Sequence, residues 1–137
     1  MTRTFVLAIA LIATACKQGE PPPARHNTAP ATRPSAITDA DVHAIDQLLA
    51  ILTSIDTAIK TEHDCAKAAG VVRDAAEKSA AAISAMPTVE EHTRENADAE
   101  AWAFANYGQK IKPLMEGVMG HECAKDPGYK AALARFQ

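Results

Sequence analysis

Two five-residue stretches constrain this chain more than any other feature: His63-Asp64-Cys65-Ala66-Lys67, and its near copy 58 residues later, His121-Glu122-Cys123-Ala124-Lys125. Apart from Cys16 they hold all of the cysteines. A fold that brings the two copies together ties the body of the protein at one corner or assembles a site there. Beyond Gly70/Gly128 and Ala76/Ala134 the likeness between the two regions fades, so an old duplication and chance account for it equally well.

The residues around these stretches have helical periodicity throughout. Thr38 is placed as an N-cap, with Asp39 and Asp41 in the first turn, where carboxylates favour the positive end of the helix dipole. Val42, Ile45, Leu49, Leu52 and Ile59 follow at spacings of three, four and seven, and Leu48 and Ile55 widen the stripe. This predicts an amphipathic helix of about 22 residues. Continuing its phase would bury His63, Ala66, Gly70 and Arg73, whereas the apolar set that follows is Cys65, Ala69, Val72, Ala76, Ile83 and Met86. The slip in phase puts a break near residues 61–64, with a break at Gly70 as the alternative.

A second helix, rich in alanine, is then expected to reach about Ala85 and to stop ahead of Pro87, because the residue before a proline resists helical geometry. Thr88-Val89-Glu90-Glu91 has the form of a capping box. Ala97, Ala101, Phe104, Gly108, Ile111, Met115 and Val118 predict a third helix of about 22–30 residues, kinked or ended near Pro113. Its acidic opening, from Glu90 to Glu100, reads as a solvated face. Gly120 closes this helix, and Asp126-Pro127 opens a short last one whose apolar face is Tyr129, Leu133 and Phe136. The fold class is therefore all-α: an antiparallel bundle of three long helices and one short C-terminal helix over residues 38–137, with no strand signal. If the second and third helices have matched lengths, the chain returns to the corner where Cys65 stands, and Cys65 and Cys123 become neighbours.

The first residues follow a different pattern. Met1 to Ala15 carries one positive charge at Arg3, an apolar run from Phe5 to Ala13 that is too short to span a bilayer, and small residues directly before Cys16. In this stretch, residues 1–16, the chain resembles a bacterial lipoprotein precursor, with Ala13 where leucine is commonest. The resemblance implies a signal peptide over 1–15, removed by a dedicated peptidase, and a Cys16 that carries a diacylglycerol and an N-acyl chain. Two such lipid signals anchor stably where one does not. It implies a bacterial envelope protein that faces the periplasm or the cell exterior, in a compartment that favours disulfides. With Cys16 lipidated, Cys65 and Cys123 remain as a pair. Residues 16–37, with Pro21-Pro22-Pro23, Pro30 and Pro34, read as the anchor followed by a disordered, partly extended tether. In polyproline geometry it reaches about 55–60 Å.

Composition narrows the partners. From Ala36 onward 10 Lys and Arg face 16 Asp and Glu, and no basic cluster is interleaved with aromatic residues, so nucleic acid is not an expected partner. Of the residues in that span 23 are alanine, each burying little apolar area, so a disulfide closing a loop of nearly 60 residues would be of real value to the fold. The competing reading of the same corner is a Cys2His2 set for zinc or copper made of His63, Cys65, His121 and Cys123. His-x-Cys is a poor spacing for one ion, since residues two apart on a helix diverge by about 200°. A non-covalent haem would draw on Met115, Met119, His92 or His121, and covalent attachment is excluded by the lack of Cys-x-x-Cys-His. His43 and His92 have no serine or carboxylate partner recognisable in sequence, no Gly-rich phosphate loop exists, and no enzyme activity or cofactor is expected. The sequence thus points to a lipid-anchored binding or scaffold module with a membrane and a possible envelope protein as partners, the alternative being a metal or haem carrier.

Overall fold

The computed structural model describes residues 30–136, and every described element is helical. The expected signal peptide, Cys16 and most of the expected tether lie outside the described residues. Helix α1 (Asp39–Ile59) opens on a complete capping box: Thr38 Oγ1 accepts from the Asp41 amide at 3.2 Å, and the Asp41 carboxylate accepts from the Thr38 amide at 2.8 Å. The body of the protein begins slightly before this cap. Ile37 is buried, its amide donates to the Pro34 carbonyl, and Arg33 pairs with Asp39 at 2.6 Å.

The first break falls where the phase slip put it. Helix α1 stops at Ile59, and α2 (Cys65–Lys78) starts under the Asp64 side chain, which accepts from the amides of Ala66 and Lys67. Gly70 lies inside α2 and breaks nothing.

The second corner is not where the proline suggested. Helix α2 stops at Lys78, buried Ser79 interrupts it with its hydroxyl donated to the Ala75 and Ala76 carbonyls, and α3 (Ala80–Arg94) then runs straight through Pro87. Met86 and Val89, on either side of the proline, are both buried against α1, and this packing carries the helix past a residue that local geometry disfavours. The Thr88 capping box is accordingly not a helix start, because Thr88 is an exposed residue in mid-helix. The chain turns instead at Glu95 and Asn96, and Asn96 caps α4 (Ala97–Ala103) by accepting from the Asp98 and Ala99 amides.

The third long segment is α4, a π-helical turn at Phe104–Gly108, and α5 (Gln109–Met119), which passes through Pro113 without ending. The wider turn shifts the phase of the segment. Ala99 faces inward above it and Gly108, Ile111 and Val118 face inward below it, while Phe104, expected in the core seam, is 44% exposed. Gly120 does close α5, at φ −93°. It needs no left-handed backbone there; a Cβ at this position would lie 2.7 Å from the Glu116 carbonyl oxygen. After a 3-10 turn at Glu122–Lys125, Asp126 caps α6 (Pro127–Leu133), and a last 3-10 turn covers Ala134–Phe136.

Directions follow from the contacts at the two ends. Near the start of α1, Asp41 meets His92 at the end of α3; at its finish, Ile59 meets His121 beyond the end of α5. Helix α1 therefore runs antiparallel to the α2–α3 segment, and α4–α5 runs antiparallel to that segment in turn. The core has two parts along α1. Ile55 and Ile59 join Ala68, Val72, Ala76, Val118, Tyr129 and Phe136 at the cysteine end. Ile45, Leu48 and Leu52 join Met86, Val89 and Ile111 at the other. The apolar bulk comes from α1 and the C-terminal segment, with Met86 and Val89 of α3 and Ile111 and Val118 of α5, and the small side chains of α2 let α6 pack closely on it.

Candidate functional site: the cysteine corner

Both copies of the five-residue motif meet at the lower end of the bundle. Cys65 opens α2 and Cys123 sits in the 3-10 turn after α5. Their sulfurs are at disulfide distance, 2.06 Å apart, with Cα atoms separated by 5.3 Å. Cys123 is buried and Cys65 half-buried.

The two histidines of the motif have different roles. The Cys123 amide donates to His121 Nδ1 at 3.2 Å, and Nε2 lies 2.9 Å from the Ile59 carbonyl oxygen. His121 thus stitches the end of α1 to the 3-10 turn with both ring nitrogens engaged. Its ring stacks on Tyr129 with centroids 5.5 Å apart. Tyr129 is fully buried and donates its hydroxyl to the Val118 carbonyl at 2.7 Å, and burial pushes its pKa up to about 12. His63 is exposed; its Nδ1 lies 2.6 Å from Glu122 Oε1, so the first histidine of one copy pairs with the acid of the other. Asp64 caps α2 where its counterpart Glu122 makes that cross-corner pair.

The Cys2His2 set is therefore not assembled as a ligand shell. The cysteines face each other, His121 is committed on both nitrogens, and His63 points to Glu122 in solvent. No group of three or more His, Cys, Asp or Glu positioned for a metal occurs among the described residues. The haem candidates are likewise scattered. Met119 is exposed, Met115 packs on the upper core, and His92 stands at the opposite end of the bundle from His121.

That opposite end holds a pairing the sequence did not disclose. His92 Nδ1 lies 2.8 Å from Asp41 Oδ2, and Asp41 is 3% exposed. The same oxygen accepts from the Thr38 amide and hydroxyl, both at 2.8 Å. Burial alone would raise the Asp41 pKa, but the hydrogen bonds from Thr38 and His92 outweigh it, and the carboxyl is held below its ordinary value. The carboxylate partner that His92 does not show in the sequence is thus Asp41. Nothing local could have found Asp41, which is 51 residues away. The arrangement is a clasp between α1 and α3: the Thr38 hydroxyl is bonded to the carboxylate and not to the imidazole, so no nucleophile is paired with a base.

Two further features of the upper half were not anticipated. Trp102 and Tyr107 stand edge to face at 5.9 Å across the π-helical turn. The Tyr107 pKa is raised by burial and by the Asp46 carboxylate, with Arg33 opposing. Comparison of the chain with family models, with curated proteins and with solved structures returns no match.

Proposed function

We propose that this protein is a lipid-anchored module of the bacterial cell envelope, held to a membrane through acylated Cys16, whose helical domain acts in binding or as a scaffold without catalysis of its own. The observation that carries the reading is the run from Arg3 through the apolar Phe5–Ala13 stretch to the small residues before Cys16. It is supported by the pairing of Cys65 with Cys123 at disulfide distance, an arrangement suited to an oxidising compartment, in a chain whose third cysteine is Cys16. The balance of 10 basic against 16 acidic residues from Ala36 onward supports a protein or a membrane, and not a nucleic acid, as the partner.

The test is fatty-acid labelling in a bacterial host that carries the lipoprotein maturation pathway. The parent chain should take up label and fractionate with membranes, and Cys16→Ser should take up none. A parent that stays unlabelled overturns the anchor. A purified parent with a Soret band, or with stoichiometric metal on elemental analysis, would overturn the binding or scaffold assignment in favour of a carrier.

A further inference from the structure

Among the described residues the large hydrophobic side chains left exposed are Phe104 and Met119, and Phe104 belongs to a local structure that helices seldom adopt. In a regular α-helix residues five apart point about 140° away from each other and cannot touch. The π-helical winding of Phe104–Gly108 sets Trp102 and Tyr107 side by side, and both residues are half-buried. Such turns occur mainly as single bulges and are frequent at functional sites. Gly108 completes the turn: a Cβ there would fall 2.8 Å from Phe104 Cδ2, so the phenyl ring rests over the glycine and is held outward. The Lys110 ammonium stands 6.0 Å from the centre of the Tyr107 ring.

The position of this turn in the bundle decides what can cover it. Arg33, three residues into the described chain, is an electrostatic neighbour of Tyr107 and pairs with Asp39, and Ile37 is buried. The described chain therefore enters the bundle beside the aromatic turn. The cysteine corner is at the far end of α1, about 30 Å away at 1.5 Å per residue. Arg33 is 17 positions after Cys16, which bounds the distance between the lipid and this end of the bundle at about 60 Å.

We propose that the aromatic turn at residues 102–108 docks on the zwitterionic surface of the bilayer that holds Cys16, so that the domain lies with its α1 start toward the membrane and its cysteine corner away from it. This rests on the anchor reading above. Tryptophan and tyrosine have an apolar body and a polar edge and favour the headgroup level of a bilayer, and Phe104 supplies an apolar contact beside them. The charges at hand are mixed: Arg33 and Lys110 are basic, and Asp46 and Asp39 are acidic and already partnered by Tyr107 and Arg33. Asp98 and Glu100, on the preceding turn, work against a strongly anionic surface. A face this small binds weakly by itself, and the anchor makes its contact intramolecular in effect, which raises its occupancy without new contacts.

Trp102 is the chain's sole tryptophan, so its emission reports this turn alone. The full-length mature protein, extracted from membranes, is reconstituted in vesicles of phosphatidylethanolamine and phosphatidylcholine with either plain or brominated acyl chains. The proposal expects a blue shift of Trp102 emission in plain vesicles and a loss of emission in brominated ones. Phe104→Ser and Lys110→Glu should each weaken that loss while the variants still sediment with the vesicles and keep their circular dichroism. Full emission in brominated vesicles, from protein that sediments with them, overturns the docking and leaves the anchor standing. Protein that stays in the supernatant overturns both. A blue shift that bromine does not quench and that dilution abolishes assigns the turn to a second copy of the chain, and the docking fails.

Discussion

Breaking the link between Cys65 and Cys123 should cost this domain a large part of its stability. The two residues are 58 apart, and by the chain-entropy relation a closed loop of that length removes about 4 kcal/mol of freedom from the unfolded state. Domains of this size are stable by about 5–15 kcal/mol, and a core in which Ala44, Ala68, Ala69, Ala76, Ala82, Ala99 and Ala132 are buried belongs toward the lower end. Urea unfolding followed by circular dichroism, with and without a thiol reductant, reads the difference directly. With a slope of about 2 kcal/mol per molar, the midpoint should fall by about 2 M on reduction. Cys65→Ala should do nearly the same, and Cys123→Ala slightly more, since Cys123 is buried and its loss also leaves a void. The loss should be uneven along the bundle. Amides of α2 and α6, which pack around the corner, should exchange faster, while those of α1 and α3 near Ile45, Leu48 and Met86 should change less. A loss below about 1 kcal/mol would refute the reasoning, because it would mean that the closed loop contributes far less than its length implies.

Alkali should unfold the protein through Tyr129. Its pKa is raised from 10.0 to about 12, so the neutral phenol's contribution is fully present below pH 10 and is lost as pH rises toward 12, about 2–3 kcal/mol in all; Tyr129→Phe should flatten this fall in a stability-against-pH series. Acid acts at the other end. The Asp41 carboxyl is held below its ordinary 3.8, so its contribution is present above that pH and is lost as pH falls below it, and Asp41→Asn should remove this part of the acid sensitivity in the same series. Pro87→Ala should stabilise by about 1–3 kcal/mol in urea titration, since the proline is exposed in the interior of α3; a destabilised variant would mean that Pro87 does stop a helix.

What could be read in the sequence was local, or depended on simple lengths. Thr38 with Asp41, and Asp126 with Pro127, are cap signals whose partners lie within three residues, and both work as expected. The meeting of Cys65 with Cys123 needed only two helical segments of matched span, and it survives although each segment is interrupted. The errors arise where packing overrides local preference. Pro87 is carried inside a helix by the burial of Met86 and Val89, and the true corner lies beyond the Thr88 box, at Asn96, with Asp98 and Glu100 in the following turn. Phe104 fell on the expected core seam, and only the π-helical turn, which has no sequence signature of its own, turns it outward. At the corner itself, the motif spacing marks both histidines as candidates. Their separate duties depend on an Ile59 carbonyl and a Glu122 carboxylate more than 50 residues away, which no spacing rule encodes.

The most direct test of the account is the intact mass of the protein extracted from membranes, unfolded and alkylated without prior reduction. The account predicts a chain that begins at Cys16, carries a diacylglycerol and one further acyl group, and has no alkyl adduct on Cys65 or Cys123. A chain with an unmodified Cys16, or with adducts on the other two cysteines, would contradict it.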